Sequence, residues 1–573
     1  MAETQLGVRR VTVLLLYVAL FALGVPVWWR TTQVYRAAIP FHLLDAAGGD
    51  GMPSLAVRLV LAQELGGDGS DAAGWLETQL NRHIDPVRDG IRVKVVGETL
   101  QSPLPDDVHD DWQMNAWLEE MQGGSKCSRA ETCSSELHIF LLPSGRKGAF
   151  RVQDGGSRLT MGTGIVGWLL VSPDPSRLTM SMQGLPKMLA AVVRGETDAS
   201  SALVEATSAG ARASAASARF GGELKARDVG VPTPLRVSLT LLVGCSSDSP
   251  DEGGGPDCGS GAVTWEAEQA IESGLQPLVR SLLGIYNISV DSHILHFADL
   301  AVPPVLDEAH QAYVLKSATL NDFINWRDWP LDSTTSLIRT IHLLLYLPSR
   351  HVSPLILLDR NAEPLSPAAF TVAGYGAVHV MNDTSILSSS AAGAGTLITK
   401  ESLRIPLGSL VGQLRNFLGL KTPPGVSSLP DYSTGAPLWQ LLMMQRRNTR
   451  ARMASARSTL KIFEGLIASI PNMLIRDEIS LHVQEAIEYV LRAETDWAAA
   501  RFTEASHWAA QSFDAAEKVF FEESILSRLY FPDDHKFAVY VPYFVPVMLP
   551  LLVGLVREGK AYHMKRREKM KAD

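Results

Sequence analysis

The sequence predicts a mixed α/β body followed by a helical unit, flanked by one transmembrane helix at each end. Three observations carry this reading. Charge-free apolar stretches of nineteen residues, Val11 to Trp29, and of twenty, Phe537 to Val556, bracket the chain. Between them strand-like runs alternate with amphipathic helical patterns, which is how helices covering a sheet read in sequence. Beyond Lys400 only the helical patterns continue. The resulting layout is a short tail (1–10), a span (11–29), an α/β region of two sub-units (30–399), a helical region (400–536), a second span (537–556) and a basic tail (557–573).

A length of 573 residues allows several cores, because domains usually run to about 100–200 residues. A composition 46% hydrophobic and 20% charged suits a few spans carrying a globular body better than a polytopic transporter. Each apolar stretch is long enough as a helix to cross about 30 Å of hydrocarbon at about 1.5 Å per residue. Orientation follows from Lys and Arg, which stay on the cytosolic side during insertion. Arg557, Lys560, Lys565, Arg566, Arg567, Lys569 and Lys571 follow the second span, against Glu558, Glu568 and Asp573, so that tail is expected in the cytosol. Two spans then put the N-terminus there too, as Arg9 and Arg10 agree, and the middle in the lumen. The tails carry +1 and +4, leaving −14 on residues 11–556 of a chain whose net charge is −9. An acidic middle argues against nucleic acid as a partner. Basic residues before an apolar run ending near Ala22-Leu23-Gly24 also fit a cleavable signal peptide. Trp28 and Trp29 favour a retained anchor, since indoles suit the headgroup layer where a span ends.

In chain order, strand patterns cover Leu55 to Leu61, Ile91 to Val96, Leu137 to Leu142, Leu235 to Val243, Ile288 to Phe297, Ile341 to Leu347, Leu355 to Leu358 and Ala377 to Met381. Apolar residues at three-to-four spacing mark helices at Asp71 to Ile84, Asp111 to Met121, Pro186 to Val193 and Trp265 to Leu283. In the helical region they mark Ser402 to Leu418, Pro437 to Ala468, Asp477 to Ala493 and Trp497 to Phe520, with a break at Pro471. Asp198 to Ala218, Ser246 to Gly261 and Ser388 to Gly395 are rich in Ala, Ser, Gly or Asp and read as loops. No repeat of fixed period stands out.

Covalent marks fit a secretory compartment. The chain ends Lys569-Met570-Lys571-Ala572-Asp573, the form of a dilysine retrieval signal read from a cytosolic tail; an accidental match in a basic run is the alternative. Asn287-Ile288-Ser289 and Asn382-Asp383-Thr384 are glycosylation sequons. Cys127, Cys133, Cys245 and Cys258 lie in close pairs, and in an oxidising lumen the local pairing of 127 with 133 and 245 with 258 leads three possible connectivities, with free thiols next. Their spacing fits no zinc pattern.

Catalytic and cofactor patterns fail. Gly162 to Gly167 is a formal GxGxxG, but a dinucleotide site needs a buried strand before it and an acid about 20 residues after it. The preceding residues Gly155 to Met161 read as polar and Gly-containing and no suitable acidic strand end follows, so it reads as a turn beside a strand. His293 and His296 fall on opposite faces of a strand-like run and make poor metal partners. There is no nucleophile elbow, Walker loop or HExxH helix, and no cofactor is expected. In the second span Pro542, Pro546 and Pro550 recur every four residues on one face, each removing a backbone donor. Membrane helices tolerate this when a neighbour satisfies the freed groups, which predicts a kinked helix packed on a partner.

Four stretches carry a family resemblance. They are Gly24 to Thr32 with Tyr35-Arg36-Ala37, Asn287 to Ser292 with Ile294-Leu295, Leu343 to Pro348 with Ser353-Pro354-Leu355, and Leu529 to Pro542. In order and spacing they resemble the PIG-S family, a subunit of the GPI transamidase that replaces a C-terminal signal peptide with a GPI anchor. The Gly-, Ala- and Ser-rich insertions and the clustered cysteines depart from the family pattern. The resemblance implies a retained first span and a subunit without an active site. It implies chemistry in PIG-K, with PIG-T, PIG-U and the GPI-anchor attachment protein as further partners, and membrane lipid around the spans. The competing readings are a lumenal hydrolase tethered at both ends and a structural tether outside any transamidase.

Overall fold

The computed structural model describes residues 2–572, apart from 47–52, 85–90, 101–109, 122–135, 144–158, 172–181, 195–233, 251–255, 258–262, 324–338, 383–395, 523–532 and some shorter gaps. The chain groups into two compact units, one of residues 1–49, 454–491 and 511–573, the other of residues 50–453 and 492–510.

The larger unit begins with β1 (Ser54–Ala62), α3 (Gly69–His83), β2 (Arg92–Leu100), α4 (Asp111–Met121), β3 (Leu137–Pro143), β4 (Leu159–Met161), β5 (Val166–Val171) and α5 (Leu185–Arg194). With β18 (Val426–Ser428) they form a six-stranded sheet in the order β18-β4-β5-β3-β1-β2. A second series follows: β6 (Pro234–Val243), β7 (Ser246–Pro250), β8 (Pro256–Asp257), β9 (Val263–Trp265), α6 (Ala267–Gly274), α7 (Gln276–Ser281), β10 (Asn287–Leu295), β11 (Val305–Asp307) and β12 (Ala312–Lys316). After it come β13 (Arg339–Leu347), β14 (Leu355–Leu358), β15 (Ala369–Val372), β16 (Gly376–Val380), β17 (Thr396–Ile398) and α8 (Lys400–Leu418). Its main sheet has the order β10-β6-β13-β16-β15.

The inner strands place an apolar residue at every second position, and the face those residues share is buried. In β1, Leu55, Val57, Leu59 and Leu61 are at most 1% exposed, and in β6 Leu235, Val237, Leu239 and Leu241 at most 3%. Each such side chain contributes about 1.5–3 kcal/mol on burial, so these two strands anchor two separate cores.

The two sheets are the same motif built twice. In each, the first strand lies between the second and third, all parallel, and a hairpin of an antiparallel strand and a fourth parallel strand follows on the other side, with β18 added beyond it in the first sheet. The second sheet repeats this arrangement. The registers agree residue by residue. Ser54 faces Arg92 as Pro234 faces Asn287, Val57 faces Leu137 as Val237 faces Ile341, and His138 faces Val166 as His342 faces Gly376. The sequence carries an echo, Leu-x-Val-x-Leu-x-Leu from Leu55 and again from Leu235, and Leu137-His138-Ile139 against Ile341-His342-Leu343. A fixed-period search misses it because the connections differ in length.

All eight expected strands are present, as are the helices from Asp71, Asp111 and Pro186. Three expectations are corrected. Ser246 to Gly261 is not wholly loop, since β7 and β8 pair antiparallel within it. The single helix expected from Trp265 to Leu283 is two, α6 and α7, with Trp265 in β9. Pro277 explains the break, because it has no N–H to return to the helix. The helix expected from Trp497 starts at Phe502, after Ala500 adopts φ 58°. The helix α8 packs into the core of the second sheet through Leu403, Leu407, Leu410 and Leu414 and stops at Gly419, in the left-handed conformation at φ 82°. The loops expected at 198–218 and 388–395 lie outside the described residues.

Three long helices follow, α9 (Leu438–Ser469), α10 (Asp477–Ala498) and α11 (Phe502–Phe520), and α12 (Asp533–Ala572) ends the chain. The smaller unit takes its core from these helices, through Leu460, Phe463, Ile479, Val483, Ile487 and Val519. It also holds α1 (Ala2–Thr32) and α2 (His42–Ala46). One described helix is long and apolar enough to cross a membrane, Ala538–Met564 of α12; Leu15–Trp28 of α1 is a shorter apolar stretch.

Candidate functional site

The GxGxxG loop shows what this chain does with its most catalytic-looking motif. Gly162 N–H donates to the Val166 carbonyl at 2.8 Å, turning β4 into β5. A phosphate would need the loop donors, but a carboxylate holds them. Glu119 of α4 accepts from the Thr163 hydroxyl at 2.9 Å, the Gly164 N–H at 3.1 Å and the Asn115 amide at 3.1 Å. The loop carbonyls are engaged too, taking the first N–H groups of α9 from Leu438 at 2.7 Å and Trp439 at 3.2 Å. A side chain at Gly162 would place its Cβ 1.8 Å from Asn115 Oδ1, so glycine is required here for close approach. The motif is a docking latch between a hairpin and two helices.

Among the described residues no group of three His, Cys, Asp or Glu could hold a metal. His293 in β10 and His296 just past its end are both exposed.

The terminal helices of the smaller unit pair with one another. Trp28 meets Tyr540 at 5.3 Å and Phe544 at 5.2 Å, and Phe21 meets Phe544 at 6.1 Å, all edge to face. Trp28 near the end of the first apolar run faces Tyr540 near the start of the second, so the helices are antiparallel. Pro542, Pro546 and Pro550 lie inside α12, which continues unbroken through all three, and all are exposed. Residues 540, 544, 548 and 551 form the half-covered face, and Pro542 lies two positions from Tyr540, on the other side of the helix.

The chain leaving α1 is clamped to the α9–α10 turn. Arg36 bridges Ile475, Ala37 N–H donates to the Ile475 carbonyl at 3.1 Å, and the Tyr35 hydroxyl donates to Asp477 at 2.6 Å. Arg36 also reaches the Ile467 carbonyl at 2.6 Å, and the Ser480 hydroxyl donates to Ala38 O at 2.8 Å. The Tyr35-Arg36-Ala37 motif thus fixes the exit of α1.

Sequence reasoning missed a buried basic seam in the larger unit. Along the first half of α9, Gln440, Gln445, Arg446, Asn448, Thr449 and Arg452 are at most 7% exposed. Arg446 lies over the Phe502 ring at 4.5 Å, and burial pushes its pKa down to about 10. Arg452 donates to the Ile285 carbonyl. The signal was the run Gln445-Arg446-Arg447-Asn448-Thr449-Arg450 inside an otherwise amphipathic helix.

Asn287 is exposed at the head of β10. Asn382 is half-buried, its amide nitrogen donating to Leu355 O at 2.7 Å and its oxygen accepting Leu355 N–H at 3.0 Å. Cys127, Cys133, Cys245 and Cys258 lie outside the described residues. Lys569 and Lys571 fall within the last turns of α12.

Fold and site together define an α/β protein with a doubled sheet and a helix able to cross a membrane. A family model described as phosphatidylinositol-glycan biosynthesis class S protein matches residues 15–565, and the chain belongs to that family. It is 26% identical over 578 residues to the GPI-anchor transamidase component PIGS of Homo sapiens, covering 97% of this chain and 96% of that protein. The component of the same name in Mus musculus is 32% identical over 307 residues, 53% of this chain and 55% of its own length. The GPI transamidase component GPI17 of Saccharomyces cerevisiae is 22% identical over 348 residues, 58% of this chain and 59% of its own.

Proposed function

We propose that the chain is a non-catalytic subunit of the GPI transamidase, supporting attachment of GPI anchors to proteins at the endoplasmic reticulum membrane. The carrying observation is the family match along residues 15–565, matched end to end by a relative named as a transamidase component. The role is assembly and precursor presentation beside PIG-K, which supplies the chemistry, with PIG-T, PIG-U and the GPI-anchor attachment protein. The Glu119-filled loop supports the non-catalytic part, because the one cofactor-like motif is already closed.

In this reading both termini are cytosolic, the −14 middle is lumenal, and α1 is a retained first span. The aromatic seam with α12 supports retention, since a cleaved leader would leave Tyr540 and Phe544 without their partner rings. Asn287 and Asn382 are the proposed glycan acceptors, and Asn287 is the better exposed. Asn287→Gln should remove a glycosidase-sensitive step in gel mobility. Cys127 with Cys133 and Cys245 with Cys258 are the proposed disulfides, which non-reducing peptide mapping tests. Replacing Lys569 and Lys571 by Ser should let the chain escape the endoplasmic reticulum.

The deciding experiment is mass spectrometry of the chain purified in mild detergent. Stoichiometric recovery of PIG-K, PIG-T, PIG-U and the GPI-anchor attachment protein is expected. A folded preparation lacking all four would overturn the assignment.

A further inference from the structure

The duplicated sheet provides an internal comparison at its two equivalent edges. In the first copy the edge strand β2 is closed by its own crossover helix. Val93 and Val95 are 3% and 7% exposed beneath α3, in one core with Leu76 and Leu80. The outward N–H of Val95 is taken by the Glu77 carboxylate at 3.0 Å. Capping of this kind blunts an edge that would otherwise template another strand.

In the second copy the equivalent strand is β10, and the registers make Ile288 the counterpart of Val93 and Val290 the counterpart of Val95. Both are only half-buried. The crossover here is broken into α6 and α7 at Leu275, and a groove of about 640 Å³ opens between these helices and the strand. Ile271, Val279, Ile288 and Val290 line its floor between the polar side chains of Gln276 and Ser292. The shared register turns the N–H and carbonyl groups of Ile288, Val290 and Ser292 away from β6, as Val95 turns from β1. Among the described residues no strand pairs with that edge of β10. Charge at the rim is uneven: Glu272 lies 4.0 Å from Arg280, while Glu268 adds a second carboxylate to the same wall.

We propose that β10 and this groove receive an extended segment of a partner polypeptide, added to the sheet as a sixth strand. Apolar side chains two residues apart fill the floor over Val290, and a cationic side chain meets Glu268. Backbone pairing gives the affinity and the alternate pockets the selectivity. The proposal concerns this edge alone and does not depend on which complex the chain joins.

The test is a benzophenone amino acid at Gln276, on the groove wall, in the full-length chain in native membranes. Ultraviolet light should cross-link it to one short segment of another polypeptide. Val290→Pro removes the outward N–H and spares the ladder to β6, because proline is tolerated on a free edge, and should cut the yield about five-fold or more. Ser292→Lys, at an exposed position that leaves the fold intact, should do the same by repelling the cationic segment. Cross-links confined to this chain or to lipid, no cross-link, or a yield unchanged by both substitutions would overturn the proposal.

Discussion

The indole of Trp28 meets the phenol ring of Tyr540 edge to face at 5.3 Å, joining the first helix of the chain to the last. Phe544, one turn further along, touches Trp28 and Phe21 together, so one tryptophan links two turns of α12. Edge-to-face pairs contribute about 0.5–1.5 kcal/mol each. Trp28→Ala should therefore loosen the pair by about 1–3 kcal/mol, read as faster limited proteolysis of both terminal helices in detergent, and Trp28→Phe should restore most of the protection. Unchanged proteolysis would show that the seam contributes nothing.

Asn382 acts as a fragment of backbone. Its amide pairs with both the N–H and the carbonyl of Leu355, at the first residue of β14. Asn382→Ala leaves two half-buried main-chain groups unsatisfied, at about 1–3 kcal/mol each. A fall of several degrees in the thermal midpoint is expected, and Asn382→Asp should not rescue it, because a carboxylate oxygen would face the Leu355 carbonyl where the amide nitrogen donates. A midpoint equal to that of the wild type would refute the role.

Strand cores were legible because Leu55 to Leu61, Leu235 to Val243 and Ile341 to Leu347 place an apolar residue at every second position, the period of a buried strand face. The short β4, β9, β17 and β18 were not, because three residues carry no period. The duplication hid for a different reason. Its signal is in register, and register is set by long-range pairing that connections of unequal length disguise. The edge groove hid as well, since only the comparison of Val95 with Val290 shows that one edge is capped and the other open. The burial of Arg446 and Arg452 was not legible within the helix marked from Pro437 to Ala468, since the residues that cover them, Phe502 and the Ile285 carbonyl, lie far away in sequence.

His379 sets an acid limit on the larger unit. It lies in β16, 6% exposed, and burial pushes its pKa down to about 4 from an ordinary 6.5. The folded state resists the proton and the unfolded chain accepts it, so the stability is fully present above pH 6.5. It is lost progressively as the pH falls toward 4, at no more than about 1.4 kcal/mol per pH unit. His138 is also pushed down, by burial first and by Arg58 second, so acid sensitivity should not vanish with one substitution. His379→Leu should nonetheless flatten the thermal midpoint between pH 6.5 and 4 relative to wild type. Parallel curves for the two proteins would rule His379 out.

Pro542, Pro546 and Pro550 lie away from the seam with α1, and this separates two roles that sequence could not. Proline at position i returns no hydrogen bond to the carbonyl four residues earlier, so Ala538, Pro542 and Pro546 each keep a carbonyl without its helical donor. Those carbonyls fall on the exposed side of α12, where a bilayer offers no water to satisfy them. A neighbouring helix bearing hydroxyl, amide or indole donors would, at about 0.6–2 kcal/mol per bond in a membrane. Replacing all three prolines by Leu closes the ladder and removes that need. The triple variant should lose co-purifying membrane subunits while keeping the proteolytic protection that Trp28 gives the terminal helices. Loss of both would mean that the prolines shape α12 as a whole, and loss of neither would mean that lipid alone meets this face.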